Sequence, residues 1–272
     1  MSETIQENLD GVAETLLITL YARATESKRP DALLHDEKAV AMVGQMDYDF
    51  SRLKLQGHDI VAVILRLREF DRFARDFLAG HRDPIVVHIG CGLDTRFERV
   101  DDGRVEWYDL DFPEVLALRR RYIRDEGGRY HFLGGSVLDY KWLEELRAHR
   151  PRPFLFMAEG VFPYFEEAQV KDLFLTIQEN FPDAEIVCDA QTPFIIWANN
   201  LQLAVARLKA RLHWGLKHGK DVETWGNGIR LLDEYFFFDT DEPRMRPYRW
   251  MSRIPLLGRS TGIFHYHLGA RP

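Results

Sequence analysis

The stretch Ile85-Val86-Val87-His88-Ile89-Gly90-Cys91-Gly92-Leu93-Asp94-Thr95-Arg96 runs an apolar strand straight into a pair of glycines. Its first five residues, interrupted only by His88, suit a strand covered on both faces, as in a parallel sheet. Glycine at 90 and 92 leaves the backbone open to close approach, so the turn reads as a nucleotide-site signal. Downstream, residues 105–110 form a second expected strand, and Pro113 sits in the first turn of a helix reaching about Asp125. Residues 132–133 mark a third strand with a helix over 140–148. Residues 154–158 and 185–189 are the fourth and fifth strands, with a helix over 166–180 between them. A helical stretch over 193–216 follows, then β-like runs at 235–238 and 262–268 with no strong helix between them. These last two are expected as an antiparallel pair. Alternating units of this kind build a doubly wound α/β sheet.

Upstream of the glycines the pattern is helical. Leu16, Leu17 and Leu20, then Val61, Ile64, Leu65, Phe70, Phe73, Phe77 and Leu78, recur at helical spacing with charges between them. Gly80 and Pro84 end this region. The expected organisation is a single domain over 1–272. Within it, 1–83 is an N-terminal helical cap, 84–192 and 233–272 form the sheet core, and 193–232 is a helical insertion.

A chain of 272 residues that is 46% hydrophobic and 29% charged can bury one large core. Its formal net charge of -7 leaves no electrostatic footprint for nucleic acid. A small molecule or a protein is the better partner. The two cysteines, Cys91 and Cys188, are too few for a disulfide framework, and both read as buried thiols of a cytoplasmic protein. The segment Met1 to Asp10 is acidic rather than leader-like, and no apolar run reaches membrane-spanning length, so no membrane partner is expected.

The ligand class is narrowed by the second strand and by the loop. Asp111 lies 21 positions after Gly90, a spacing that suits a carboxylate accepting from both ribose hydroxyls. NAD would use the same spacing. A dinucleotide site, however, wants a third glycine at position 95, where this chain has Thr95. Asp94 beside it would repel a pyrophosphate but tolerate the sulfonium of S-adenosylmethionine. The loop therefore favours S-adenosylmethionine, with an NAD(P)-linked oxidoreductase or a non-catalytic cofactor-binding protein as the alternatives. Seven strands ending in a hairpin would then be the class I methyltransferase (Rossmann-like) sheet.

Ligands of such sheets sit beyond the carboxyl ends of the strands. Glu159 follows the fourth strand there, and Ser136 and Val137 follow the third, where the adenine edge would lie. Asp109 and Asp111 raise the reading of a metal pair. No further His or carboxylate cluster at ligand spacing supports it, so no metal is expected.

Three segments together carry a family resemblance. They are His88-Ile89-Gly90-Cys91-Gly92-Leu93-Asp94-Thr95-Arg96, Asp109-Leu110-Asp111-Phe112-Pro113-Glu114-Val115 and Ala158-Glu159-Gly160-Val161-Phe162-Pro163-Tyr164. They resemble the leucine carboxyl methyltransferase family, and more closely its bacterial branch of polyketide-type O-methyltransferases. The resemblance extends to Tyr21-Ala22-Arg23-Ala24 and Leu34-His35-Asp36. It implies a class I fold and S-adenosylmethionine as cofactor, leaving S-adenosylhomocysteine. It also implies that Arg66 holds the methionine carboxylate, that Gly90, Cys91 and Gly92 line the turn, that Asp111 binds the ribose, and that Glu159 completes the pocket. The family usually carries an Asp after the third strand where this chain has Ser136. Eukaryotic relatives carry a Lys where it has Tyr21.

The acceptor is less legible. A carboxylate is already ionised near pH 7 and needs no general base, whereas a phenol with a pKa near 10 would gain from one. His213, His218, His265 and His267 are available but fit no catalytic motif, so no catalytic residue is assigned. The expectation is O-methylation of a carboxylate or hydroxyl on a small molecule such as a polyketide-like metabolite. Tyr21, Tyr164, Trp197 and Trp225 are candidates for the acceptor pocket.

Overall fold

A computed structural model describes residues 12–123, 127–205 and 211–269. Met1 to Asp10, the expected helix end at Asp125 and residues 206–210 of the expected insertion lie outside the described residues. In chain order the structure runs α1 (Val12–Ser27), α2 (Glu37–Gln45), α3 (Gly57–Gly80), β1 (Ile85–Ile89), α4 (Arg96–Val100), β2 (Glu106–Asp111), α5 (Pro113–Tyr122) and β3 (Tyr130–Gly134). It continues with α6 (Trp142–Arg147), β4 (Phe154–Ala158), α7 (Glu167–Asn180), β5 (Ala184–Gln191), α8 (Pro193–Val205), β6 (Ile229–Phe236), α9 (Pro255–Gly258) and β7 (Thr261–Leu268).

The seven strands lie in the order β3-β2-β1-β4-β5-β7-β6, all parallel except β7, which is antiparallel to both neighbours. The antiparallel final pair and the class I arrangement are as the sequence indicates. Because β1 pairs with β2 on one side and β4 on the other, the sheet has its switch point at β1. In doubly wound sheets ligands bind beyond the carboxyl ends of the strands at such a point.

Alternation along β1 sorts the core. Ile85, Val87 and Ile89 pack with Trp142, Leu143 and Leu146 of α6 and Val170, Leu173, Phe174 and Ile177 of α7. Val86 faces the other way, into Phe70, Phe73, Ala74 and Phe77 of α3 and Leu17 and Leu20 of α1. His88 shares that second face by strand alternation. Both faces being covered explains the near-continuous apolar reading of β1 and β4.

Two expectations are corrected. β6 begins at Ile229, so the sheet takes up residues 229–232 that the sequence reading gave to the insertion. As an edge strand it exposes Arg230 and Asp233, and a register shift between Leu231 and Asp233 breaks its alternation. The helix expected over 193–216 is described only to Val205, and residues 211–216 have no regular secondary structure. The Asn200 side chain explains this locally. Its amide donates to the Leu212 carbonyl (2.7 Å) and its oxygen accepts from the Leu212 N–H (2.9 Å), pairing the returning chain with α8. Among the described residues no helix is long and apolar enough to cross a membrane.

Candidate functional site

The glycine turn is a strained backbone held by its surroundings. Gly90 (φ 65°) and Gly92 (φ 52°) are left-handed, a region costly for residues with a Cβ. A Cβ on Gly90 would come 2.4 Å from Val161 Cγ2, and one on Gly92 would come 2.6 Å from Leu16 Cδ2. The expectation was that glycine keeps the turn clear for a ligand. The structure adds that α1 and the segment after β4 close on it from two sides. Cys91 contributes through its backbone, since burial pushes its thiol far up and leaves it a neutral SH.

Asp111 ends β2 beside this turn. Its Oδ2 accepts from the Gly92 N–H (2.8 Å) and its Oδ1 from the Phe112 N–H (2.8 Å). Burial raises its pKa, and the two amides and Arg119 only partly offset that rise. Ser136 follows β3 and caps a short 3-10 turn over Val137–Asp139, its Oγ accepting from the Leu138 N–H (3.2 Å). Val137 is buried, and its carbonyl accepts from Trp142 Nε1 (3.0 Å).

At the ends of β4 and β5 the structure assembles a second group. Arg66, reaching over from α3, donates through Nε to Glu159 Oε1 (2.8 Å) and through Nη1 to Asp189 Oδ2 (3.3 Å). Asp189 Oδ1 also accepts from the Gly160 N–H (2.7 Å). Burial raises the pKa of Asp189 although Arg66 opposes the rise. Tyr164 joins this group: burial raises its phenol, Arg66 lowers it and Asp189 raises it again. Asp189 was missed from sequence. Its signal was the same as for Glu159, a carboxylate closing an apolar strand.

Below the turn lies a wholly different constellation. Asp94 pairs with Arg99 Nη1 (2.8 Å), Arg96 Nη2 (3.1 Å) and Arg23 Nη1 (3.7 Å). Arg96, fully buried, also donates to Asp71 Oδ1 (2.8 Å), to Glu159 Oε2 (2.5 Å) and to His88 Nε2 (3.0 Å). Arg23 donates to the Leu93 carbonyl (2.8 Å), to Thr95 Oγ1 (3.1 Å) and to Asp36. Although burial works against it, the three arginines hold the Asp94 carboxyl well below the ordinary range. The electrostatic reading of Asp94 is thereby corrected. Its charge is neutralised inside the protein, so it discriminates neither against a pyrophosphate nor for a sulfonium.

Asp109 is likewise committed. It accepts from Arg119 Nη2, Tyr130 OH and Trp107 Nε1, while Arg119 Nη1 ties the Gly92 carbonyl (2.9 Å). Among the described residues there is no group of three or more His, Cys, Asp or Glu side chains placed to hold a metal ion.

The aromatic candidates divide. Tyr164 (40% exposed) and Trp197 (63% exposed) remain open. Tyr21, half-buried, is stacked on Phe50 (5.1 Å), and Trp225, half-buried, packs edge-on to Phe174 (5.4 Å) and 6.2 Å from Trp214. Of the histidines, His265 pairs with Glu185 (2.6 Å) and His267 approaches Asp183 (3.7 Å). Both lie at the amino end of β5, away from the turn. His213 makes a surface pair with Glu166 (2.7 Å), and His218 is an exposed cap.

Comparison with known proteins gives the family. The family described as leucine carboxyl methyltransferase matches residues 16–178, more than half of the chain. The chain is 35% identical over 241 residues to the tetracenomycin polyketide synthesis O-methyltransferase TcmP of Streptomyces glaucescens, covering 88% of this chain and 87% of that one. It is 29% identical over 264 residues to the S-adenosyl-L-methionine-dependent methyltransferase dpfgK of Gibberella zeae, covering 90% and 88%. Its fold is similar to a putative methyltransferase from Thermobifida fusca (TM-score 0.58, 15% identity, 95% and 99% covered). It is also similar to the cyclopropane synthase CmaA1 complexed with S-adenosylhomocysteine (TM-score 0.51, 11% identity, 93% and 98% covered). The oxidoreductase alternative falls with these findings. The chain belongs to the leucine carboxyl methyltransferase family and is an S-adenosylmethionine-dependent methyltransferase.

Proposed function

We propose that the crevice above β1 seats S-adenosylmethionine and delivers its methyl group to an oxygen of a small polyketide-like acceptor, a carboxylate before a hydroxyl. The observation that carries this reading is the Arg66–Glu159–Asp189 group at the strand ends. Among the described residues Arg66 Nη2 has no protein partner, and a guanidinium forks onto a carboxylate. In this reading Arg66 takes the methionine carboxylate and Glu159 completes the pocket. Asp111 takes the ribose hydroxyls, with the Gly90-Cys91-Gly92 backbone beneath them. Ser136 and Val137 border the adenine. The raised pKa of Asp111 fits this assignment, since a carboxylate with a hydroxyl-rich ligand regains the partners that burial removed.

When bound, the cofactor supplies a methyl group already activated on a cationic sulfur. The chain's own task is to align acceptor and methyl and to exclude water. A carboxylate acceptor is already ionised near pH 7 and needs no general base, and His265 and His267 lie at the far end of β5. Tyr164 and Trp197 offer open aromatic surface at that end. A cytoplasmic location is supported by Cys91 and Cys188 being buried free thiols.

Titration of the wild type and Arg66→Ala with S-adenosylhomocysteine and with methylthioadenosine tests the seating. The substitution should weaken only the ligand that carries the amino-acid carboxylate. Equal losses for both would show that Arg66 does not hold that group. Labelled methyl transfer to carboxylic and phenolic acceptors, followed by mild base, tests the acceptor atom. Methyl esters release the label and aryl ethers keep it.

A further inference from the structure

Between β6 and β7 the chain leaves the sheet for residues 237–260, and 243–259 of that excursion contains five arginines and no acidic residue. Such a concentration is hidden in a chain whose net charge is -7. The inner side of the segment is anchored. Arg244 grips Glu26 of α1 with two 2.9 Å bonds, and Met245 is buried against Val61 and Leu65 of α3. Gly258 sits so close to Ser252 that a Cβ would lie 2.6 Å from its carbonyl oxygen, so the end of the segment packs back on Ser252.

The outer side is different. Trp250, Ile254 and Leu256 are exposed at 56%, 39% and 57%. Arg246 and Arg253 are exposed and have no protein partner among the described residues. Arg249 pairs with Asp241, Arg259 lies 3.4 Å from Glu234, and Glu242 is spent on Arg244; the exposed Asp239 offsets part of the charge of Arg246 and Arg253, which leaves a small positive excess. Thr192 donates to the Ser260 carbonyl (2.8 Å), which sets the first turn of α8 beside the end of the segment. On α8, Phe194, Trp197 and Leu201 are exposed at one helical face. Six of the nine large hydrophobic residues exposed in the described structure fall on these two elements, which the Thr192–Ser260 hydrogen bond connects.

We propose that this face docks the enzyme on an anionic lipid surface. Apolar tips of Trp, Ile and Leu set among unpaired arginines match what an interfacial site presents: side chains for the acyl boundary and cations for the headgroups. A two-fold dimer through the same patch would set like charge against like, and the apolar tips give no reason for nucleic acid. The expectation of no membrane partner concerned spanning segments and a leader, and this surface needs neither.

The test is co-sedimentation of the full chain with phosphatidylcholine vesicles containing none or about 30 mol% phosphatidylglycerol. Binding should appear only with the anionic lipid and fade as added salt shortens the screening length. The double substitution Arg246→Glu and Arg253→Glu should lower the partition coefficient at least about tenfold, at roughly 1 kcal/mol for each basic residue near the surface. Trp250→Ala with Leu256→Ala should lower it independently of salt. Both variants should keep wild-type affinity for S-adenosylhomocysteine, which shows that they fold. Equal sedimentation with neutral and anionic vesicles, unchanged binding by the charge-reversed variant, or capture by polyglutamate beads without any vesicle binding would each overturn the proposal.

Discussion

The charged groups below the glycine turn and those at the rim above it are made of the same residue types and are paired to very different degrees. Below, Arg96, Arg99 and Arg23 face Asp94, Asp71 and Asp36 with nearly every bonding position used inside the protein. At the rim, Arg66 shares Glu159 and Asp189 with one long contact of 3.3 Å, and Asp111 leans on two backbone amides. Carboxyl pKa values follow the division. Those of Asp94, Asp36 and Asp109 are lowered, because their arginines outweigh the burial that opposes them. Those of Asp111 and Asp189 are raised, because burial outweighs their partners. Carboxyls outweighed by arginines fix backbone, whereas Asp111 and Asp189, outweighed by burial, are ready to receive a ligand.

The comparison breaks first at Arg96. Arg96→Met removes the one arginine shared by the buried carboxylates of Asp94, Asp71 and Glu159, leaving Arg99 and Arg66 to balance them, and should cost about 3–5 kcal/mol in urea unfolding. A loss under about 1 kcal/mol would mean that the lower cluster is not what holds the turn. Asp111→Asn attacks the rim instead. It should cost about 1.5–3 kcal/mol of S-adenosylhomocysteine affinity with little change in unfolding midpoint, measured by calorimetric titration and melting.

Acid separates the two clusters further. Protonation of Asp111, whose folded pKa lies above the ordinary value of about 3.9, favours the fold but removes the ribose acceptor. Cofactor affinity should therefore fall as pH drops through that raised pKa, and Asp111→Asn should flatten the profile. Stability supplied by Asp94, Asp36 and Asp109 is present above about 3.9 and lost only as pH falls through their lowered values. Binding should fail before the fold does; simultaneous loss would erase the distinction.

Smaller effects sharpen it. Gly90→Ala places a Cβ in left-handed backbone and against Val161, costing at least about 1–2 kcal/mol of stability. Tyr164→Phe should leave cofactor affinity unchanged and cost about 0.5–1.5 kcal/mol in the KM for the acceptor, if its hydroxyl meets that molecule.

How much was legible in the sequence follows from the same contrast. β1 and β4 read correctly because both faces are buried and the apolar run is broken only by His88. The start of β6 did not, since an edge strand needs no apolar alternation where solvent is its neighbour. Gly90, Gly92, Asp111 and Glu159 were visible as residue types at strand ends. The direction in which Asp94 points was not, because a one-dimensional string does not show which charges meet three helices away. Arg23 and Asp36, conspicuous only as parts of Tyr21-Ala22-Arg23-Ala24 and Leu34-His35-Asp36, prove to be the bolts that fasten α1 to Leu93 and Thr95.

The placement of β7 has a consequence for biosynthesis. β6 touches the sheet only through β7, which follows it in the chain yet lies inside it. While the ribosome is still extending the chain through residues 237–260, β6 therefore has no sheet to join. The flank of β5, with Val187 and Cys188, stays an open edge over the same interval. Every new copy must pass through this half-closed state, where a chaperone or a neighbouring nascent chain competes with β7 for the same hydrogen bonds.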